Sequence, residues 1–210
     1  MVIGLGRFGG AVSRTLERMG HEVLAVDIDP ALVQEFAGEL TKVVEADATD
    51  TTTLEQLGAK DFDSAVVGIG TNIEASVLIV LALSDLGLKN IWAKATNEKH
   101  ARILERTGAA HVVFPEQRMG ERVAHLINER LLDFIAFGDE FAIARLIAPE
   151  PLLGLPLVTS QCRKKYDVTV VGVKREGENF IHAVPDTIIF PGDELVVSGK
   201  IHDLEAFSAM

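Results

Sequence analysis

The chain has 210 residues, 48% of them hydrophobic, which is enough apolar content for a buried core. It carries 20 lysine and arginine residues against 31 aspartate and glutamate residues, a formal net charge of -11. This acidic balance argues against the extended phosphate contacts of a nucleic-acid-binding protein.

Hydropathy and cysteine usage argue against a membrane-spanning protein and against a disulfide-rich one. No apolar run in the sequence approaches the roughly 20 residues that a membrane-spanning helix needs. The single cysteine, Cys162, excludes an internal disulfide framework and a multi-cysteine metal site. We therefore expect a soluble cytoplasmic protein. Because the first apolar segment is short before Gly4, we also expect natural residues upstream of Met1.

Strand and helix signals alternate through the first half of the chain. Gly20, Gly87 and Gly108 follow helical patterns as stop signals, and Asp29-Pro30 has the form of an N-cap followed by proline. Strands are predicted over residues 1–3, 22–27, 42–46, 64–69, 91–95 and 111–114, and helices over residues 11–19, 30–38, 51–57, 72–86 and 98–107. This alternation predicts an α/β fold, a Rossmann-like doubly wound parallel sheet of six strands. In such a sheet ligands bind at the carboxyl ends of the strands.

The first turn carries a nucleotide-binding pattern. Gly4, Gly6 and Gly9 have G-x-G-x-x-G spacing between a strand and a helix, an arrangement that brings backbone N–H groups close to a pyrophosphate. An ordinary strand-to-helix connection is the alternative for the glycines alone. Their place in a predicted βαβ unit favours the nucleotide.

Two acidic residues lie at the end of the second predicted strand and just after it. Asp27 stands where the dinucleotide fold places an acid to accept hydrogen bonds from a ribose diol, and it would repel a 2′-phosphate. A loop or capping carboxylate is the alternative for Asp27. Asp29 precedes Pro30, so it is predicted as an N-cap that also lies within reach of the ribose.

Arg7 lies within the glycine loop. A guanidinium beside N–H groups that already suit a diphosphate can neutralise further phosphate charge, which favours a triphosphate. The alternative is a solvated arginine, although a cation in the first turn of a helix is slightly unfavourable.

The second half is predicted as a crossover helix and a small α+β domain. Apolar residues at helical spacing predict one helix over residues 117–136, which either docks on a partner subunit or covers its own sheet. Residues 138–140 are predicted as a hinge, 191–193 as a tight turn, and 141–147, 169–174, 180–183 and 194–198 as strands. The predicted domains are residues 1–136 and 137–210.

Several motifs together carry a family resemblance: VIGLGRFGG at residues 2–10, GHEVLAVD at 20–27, IGTN at 69–72, IWAKA at 91–95, FPEQRMG at 114–120, RKKYDVTVVGV at 163–173 and PGDELVVSG at 191–199. On these motifs the chain resembles the RCK regulatory subunits, built of TrkA-N and TrkA-C domains, of bacterial Ktr and Trk potassium-uptake systems.

This resemblance implies a regulatory subunit and not an enzyme. It implies a cytoplasmic homo-oligomer, an octameric ring of dimers, peripheral to the membrane through a potassium-translocating subunit. Neither a nucleic-acid partner nor direct membrane insertion is expected. The implied ligand is ATP or ADP, with NAD(H) as the other candidate, and in some relatives cyclic di-AMP binds the C-terminal domain.

The resemblance also assigns roles to residues. Glu116 is the implied ligand of a divalent cation, Mg²⁺ or Ca²⁺, near the terminal phosphates. The implied nucleotide-binding residues are Gly4, Gly6, Arg7, Phe8, Gly9, Asp27, Asp29, Asp47, Ala48, Thr49, Ile69, Gly70, Thr71, Asn72, Lys94 and Glu116. From the residues alone, Glu116 is better explained as an acid that starts the next helix, where an acid is favoured.

Two rival functions use the same fold. The first is an NAD(H)-binding oxidoreductase or NAD(H)-sensing regulator, and the second is a nucleotide-binding scaffold without a transporter. Hydride transfer requires a positioned acid or base, and none of the six histidines stands in a pattern that indicates one. Cys162 has no evident catalytic partner in the sequence.

Overall fold

A computed structural model describes residues 1–127, 131–138 and 140–210. By its internal contacts the chain divides into two compact units, Met1–Gln117 and Arg118–Met210. This division lies before the boundary predicted between residues 136 and 137. Within the described residues, no helix is both long and apolar enough to cross a membrane.

The first unit contains a parallel sheet in the strand order β3-β2-β1-β4-β5-β6. Its strands are β1 (Val2–Ile3), β2 (Leu24–Asp27), β3 (Lys42–Glu45), β4 (Ala65–Val67), β5 (Ile91–Lys94) and β6 (His111–Val113). The helices between them are α1 (Arg7–Arg18), α2 (Pro30–Phe36), α3 (Thr51–Gln56), α4 (Ile73–Asp85) and α5 (Glu98–Thr107). The predicted Rossmann-like α/β class is confirmed.

Alternate residues of the central strands enter different buried clusters. Val2 and Ala25 belong to one cluster, whereas Ile3, Leu24 and Val26 belong to another. Because successive side chains of a strand point to opposite faces, both faces of the sheet are covered. A doubly wound sheet has this packing.

The helix ends follow the local signals in the sequence. Asp29, Asn72 and Asn97 cap α2, α4 and α5, and each side chain accepts a hydrogen bond from a backbone N–H of the first turn. Gly108 ends α5 with φ +116°, a conformation that glycine adopts without strain. These local contacts explain why the elements of this unit were predictable.

The second unit contains an antiparallel sheet in the order β10-β9-β11-β8-β7. Its strands are β7 (Leu131–Phe137), β8 (Phe141–Ile147), β9 (Thr169–Lys174), β10 (Ile181–His182) and β11 (Glu194–Lys200). Its helices are α7 (Leu157–Ser160), α8 (Cys162–Tyr166) and α9 (Ile201–Ser208), whereas α6 (Pro115–Leu126) spans the point of division. The predicted small α+β domain is confirmed.

The helix predicted over residues 117–136 is wrong in its second half. Helix α6 ends at Leu126, and Leu131–Phe137 forms the edge strand β7, which pairs with β8. Six of the seven residues in β7 are apolar, so their spacing does not distinguish a helix from a strand. Pairing with β8 therefore decides the conformation, and residues 128–130 lie outside the described residues.

The hinge predicted at residues 138–140 is also corrected. These residues connect β7 to β8 within one sheet, where Phe137 pairs with Phe141. Gly138 has φ +72°, as a tight hairpin connection requires. Asp139 lies outside the described residues.

Candidate functional site

The predicted site residues lie at or just after the carboxyl ends of the parallel strands. Because these ends share one edge of a parallel sheet, residues distant in sequence come together there. The glycine loop follows β1, Asp27 ends β2, Asp47 follows β3, Gly70 follows β4 and Lys94 ends β5. This edge is the candidate nucleotide site.

The three loop glycines meet different surroundings. Gly4 has φ +91°, and a Cβ on Gly9 would lie 1.8 Å from the carbonyl oxygen of Gly4. Gly4 is therefore required for its positive φ, and Gly9 is required because a side chain there would collide with the backbone of Gly4. Gly6 precedes the first residue of α1, and no atom lies within 4 Å of the place a Cβ would take. The space at Gly6 is open to a ligand.

A further glycine supports the loop and was missed in the sequence. A Cβ on Gly68 would lie 3.0 Å from the carbonyl oxygen of Gly4, so the chain after β4 passes close to the loop. Its signal was a second pair of glycines, Gly68 and Gly70, directly after an apolar strand.

Asp27 connects the glycine loop to the end of β2. Its Oδ2 accepts a hydrogen bond from the N–H of Leu5 at 2.5 Å, and its Oδ1 accepts one from the N–H of Asp29 at 2.9 Å. A carboxylate has about four acceptor positions, so these bonds leave capacity for a ribose hydroxyl. Asp27 is thus a loop-organising carboxylate with room for a ligand.

The other polar residues at this edge shape loops. Asp29 and Asn72 cap α2 and α4 through their side chains. Asp47 Oδ1 accepts hydrogen bonds from the hydroxyl and the N–H of Thr49, and these bonds hold the pKa of Asp47 below its usual value. Ala48 is buried in the core, so its backbone is the part available to a ligand.

The remaining predicted residues flank these positions. Phe8 is half-buried in the first turn of α1, and Ile69 is half-buried after β4, where it contacts the position of Gly4. Thr71 is exposed just before the cap of α4. Phe8 thus lies in the helix after the glycine loop, whereas Ile69 and Thr71 lie in the loop after β4.

Lys94 and Glu116 form an ion pair at the end of β5. The Nζ of Lys94 lies 2.6 Å from Oε1 of Glu116, in the first turn of α6. The Lys94 side chain is 14% exposed and that of Glu116 is 64% exposed. The hydrogen bond from Lys94 is the main cause that lowers the pKa of Glu116. Sequence reasoning predicted both residues but not their pairing.

Arg7 is the first residue of α1 and is exposed to solvent. Its charge also contributes to the lowered pKa of Glu116. The first turn of α1 contains no acidic residue, and Gly6 provides no side-chain cap, so the N–H groups of this turn face outward without a side-chain partner there. A helix N-terminus with no side-chain cap, no first-turn acid and a nearby arginine is suited to an anion.

Two residues that the sequence did not indicate support the loop after β4. Thr96 lies beside Gly70, with its Cγ2 3.4 Å from the place of a Cβ there. The Nδ1 of the buried His100 lies 3.4 Å from both the backbone N and the hydroxyl of Thr96. Burial lowers the pKa of His100, so its ring is neutral and acts as a packing and hydrogen-bonding group.

The side chains around Glu116 decide whether this residue could hold the predicted cation. Within residues 1–127, 131–138 and 140–210, no three His, Cys, Asp or Glu side chains are grouped as metal ligands. Glu116 contributes a single carboxylate, and Lys94 already contacts one of its oxygens. Such a position suits a hard cation that also takes phosphate oxygens and water, so it fits a metal only together with a nucleotide.

Cys162 has the properties of a structural thiol. It is buried, and burial raises its pKa to about 11. A thiol with a raised pKa is a poor nucleophile at neutral pH.

Comparison with known protein families covers both units. The model of the TrkA-N domain matches residues 1–115, and the model of the TrkA-C domain matches residues 141–210. The chain belongs to the TrkA-N/TrkA-C family. The predicted RCK-type resemblance is confirmed.

Among the relatives of this TrkA-N/TrkA-C chain is the Ktr system potassium uptake protein A of Bacillus subtilis (strain 168). It is 41% identical over 207 residues, which cover 98% of this chain and 93% of the relative. The relatives are potassium uptake proteins and not enzymes, in agreement with the expected regulatory class.

Solved structures share the fold. The GsuK channel bound to NAD aligns with a TM-score of 0.64 and 21% identity over 99% of this chain and 38% of that chain. GsuK bound to ADP aligns with a TM-score of 0.51 and 19% identity over 61% of this chain and 33% of that chain. This TrkA-N/TrkA-C chain therefore spans well under half the length of either structure, and at these identities the likeness concerns the fold.

Proposed function

We propose that this chain is a cytosolic nucleotide-sensing regulatory subunit that gates a membrane potassium transporter or channel. The observation that carries the proposal is the sheet edge where an open glycine loop, Asp27 and the charged groups of Arg7, Lys94 and Glu116 come together. Bound ATP or ADP, assisted by a divalent cation, changes the conformation of a dimer-based ring.

The charges at the site favour an adenine nucleotide with a free phosphate end. The N-terminus of α1 suits a diphosphate, and Arg7 and Lys94 add two cations beside it. Glu116 adds a carboxylate that can share a cation with terminal phosphates. NAD(H) has only an internal diphosphate and therefore no terminal phosphate for these charges to contact.

NAD(H) is the alternative ligand. The GsuK structures are named for NAD and for ADP, so the related fold accommodates both classes. An NAD(H)-sensing regulator or an NAD(H)-dependent oxidoreductase would use the same glycine loop and Asp27. Ligand titration separates these functions.

Assembly is supported by the uncovered face of α6. Met119 is 53% exposed and Val123 is 47% exposed, one turn apart on the same side of the helix, and α6 contains no fully buried residue. An apolar stripe of this kind is typical of an interface. We propose that it contacts a second copy in dimers of an octameric ring.

The membrane partner is proposed from family membership. The Bacillus subtilis relative is named as a protein of a potassium uptake system. We propose that this chain binds the cytoplasmic side of a potassium-translocating membrane subunit.

The second unit has a cleft that suits a second nucleotide. Val184 and Pro185 supply apolar lining, Arg163 and Lys164 supply positive charge, and Nε of Arg163 donates to the hydroxyl of Thr169 at 3.1 Å. A ligand with phosphates and flat bases, such as cyclic di-AMP, has matching chemistry. Binding of cyclic di-AMP here stays a prediction.

A thermal-shift panel tests the nucleotide assignment. ATP, ADP, NADH, NADPH and cyclic di-AMP are each added with and without Mg²⁺ or Ca²⁺. A ligand at about 100 times its Kd stabilises the native state by about 2.7 kcal/mol, which raises the Tm by several degrees. We expect this rise with ATP and ADP. Stabilisation by NADH with no effect of ATP or ADP would contradict the proposal.

A further inference from the structure

The ion pair between Lys94 and Glu116 lies at the carboxyl end of β5, on the sheet edge of the candidate nucleotide site. The Lys94 side chain is only 14% exposed, and an ammonium group with so little solvent needs an anionic partner. Glu116 is that partner, at 2.6 Å. The carboxylate of Glu116 therefore already contacts the ammonium group that a phosphate would contact.

Lys94 is confined by the loop after β4. The place of a Cβ on Gly70 lies 3.1 Å from Cε and 3.3 Å from Nζ of Lys94. This loop in turn packs on the glycine loop, since a Cβ on Gly4 would lie 2.8 Å from Cγ1 of Ile69. The ammonium is thus held against the loop after β4, which packs on the glycine loop.

Glu116 is the more exposed member of the pair. Its side chain is 64% exposed, and it lies in the first turn of α6 directly after Pro115. The partial positive charge of a helix N-terminus favours a carboxylate there even without a partner side chain. Glu116 therefore loses little when Lys94 contacts another anion.

Arg7 is under the influence of the same carboxylate. Its charge contributes, after Lys94, to the lowered pKa of Glu116. Lys94 is therefore the cation that Glu116 mainly neutralises, and the attraction of Arg7 is smaller.

We propose that Glu116 is a built-in competitor of the nucleotide phosphates. A phosphate that enters takes over the contact with Lys94, and Glu116 is released at the start of α6. This inference rests on the proposed function and adds a role for Glu116 in the chain without any cation. The carboxylate lowers the affinity for nucleotide until its charge is removed or neutralised.

The two possible roles of Glu116 predict different effects of one substitution on the affinity for nucleotide. If Glu116 acted only as a cation ligand, Glu116→Gln would leave the cation-free affinity for nucleotide unchanged. If Glu116 competes with phosphate, the same substitution frees Lys94 and removes a repulsive charge, so the cation-free affinity rises.

The test is calorimetric titration of the full chain with ADP in the presence of EDTA. We expect Glu116→Gln to bind ADP about threefold to tenfold more tightly than the wild type, a range typical of a partly exposed charge pair. Glu98→Gln, the matched control, removes the first-turn glutamate of α5 and should change the Kd by less than about twofold.

A double substitution shows whether the gain arises through Lys94. Lys94→Gln should weaken ADP binding about tenfold, and adding Glu116→Gln to it should give a clearly smaller gain than in the wild type. Melting curves of each variant without ligand check that the fold is retained.

Three results would overturn the inference. An unchanged or weaker ADP affinity in Glu116→Gln removes the competition, and an equal gain in the Lys94→Gln background removes the exchange at Lys94. If the wild type binds ADP in these titrations, either result leaves the proposed function standing. If the wild type binds no ADP with or without Mg²⁺, the proposed function fails and the inference falls with it.

Discussion

At the scale of single residues, substitutions of the loop glycines distinguish a role in folding from a role in ligand binding. Gly9→Ala would place a methyl group 1.8 Å from the carbonyl oxygen of Gly4, so we expect strong destabilisation and a much lower Tm. Gly6→Ala meets no neighbouring atom within 4 Å and should leave the Tm within a few degrees of the wild type. Because its methyl group enters the open space of the loop, it should abolish the Tm rise caused by ATP.

Gly120→Ala is the matched control for Gly6→Ala. Its added methyl group also meets nothing within 4 Å, but it lies within α6, where alanine favours the helix by about 1 kcal/mol over glycine. The control should keep the response to ATP. An unchanged response in Gly6→Ala would remove the loop from the binding site.

His100 makes the stability of the first unit depend on pH. Its ring is 1% exposed, and its Nε2 has no hydrogen-bond partner among the described residues. Burial lowers the pKa of His100, so below the unfolded value of about 6.5 the unfolded chain binds more protons than the native chain. The free energy of unfolding should fall below about pH 6.5, by up to about 1.4 kcal/mol per pH unit.

Urea unfolding at pH 7.5 and pH 5.5 measures this effect. His100→Gln lacks the titrating ring and should lose less stability between the two pH values than the wild type. The exposed His21, replaced by Gln, serves as the control and should lose as much as the wild type. Equal losses in the wild type and in His100→Gln would exclude His100 as the source.

Sequence reasoning predicted which residues lie at this sheet edge better than it predicted their contacts. The spacing of the loop glycines and the position of Asp27 follow from local rules of the βαβ unit, so they were predictable. The Lys94–Glu116 pair depends on how β5 and α6 meet in space, which no spacing in the sequence contains. Their pairing therefore required the structure.

At the scale of secondary structure, elements with side-chain caps and glycine stops were predicted well, and one element without them was not. Asn72 and Gly108 fix helix ends through local hydrogen bonds and backbone freedom. Residues 131–137 are apolar almost throughout, so only pairing with β8 makes them a strand. Long-range pairing is the information that local patterns lack.

The turn before β11 is held by an ion pair between the buried Asp193 and the partly exposed Arg175, which leads to a prediction for the second unit. Asp193 is 1% exposed and receives hydrogen bonds from Nε and Nη2 of Arg175 at 2.8 and 2.9 Å and from the N–H of Phe190 at 2.9 Å. Asp193→Asn leaves Arg175 without its carboxylate, so we expect a loss of about 1–3 kcal/mol at pH 7. Chemical unfolding measures the loss.

The effect of Asp193 should also vary with pH. The contact with Arg175 is the main cause that lowers the pKa of Asp193, so its stabilisation is complete above the unfolded carboxyl pKa of about 4. It is lost as the pH falls from there through the lower native value. The stability difference between wild type and Asp193→Asn should therefore shrink at pH 3, whereas the exposed control Asp186→Asn should match the wild type throughout.

At the scale of the whole molecule, family membership and site geometry lead to the same proposed role. The chain contains a nucleotide-type sheet edge and a TrkA-C domain, and among its described residues no helix could span a membrane. The proposed function places the potassium pathway in a separate membrane subunit. The nucleotide bound at the glycine loop would then change transport in that subunit.

The most direct test is potassium flux through the membrane subunit in vesicles, with this chain bound. We predict different fluxes in ATP and in ADP with the wild type, and equal fluxes in the two nucleotides with Gly6→Ala, while Gly120→Ala behaves as the wild type. Equal fluxes in ATP, in ADP and without nucleotide, with the wild-type chain demonstrably bound, would contradict the proposed gating role.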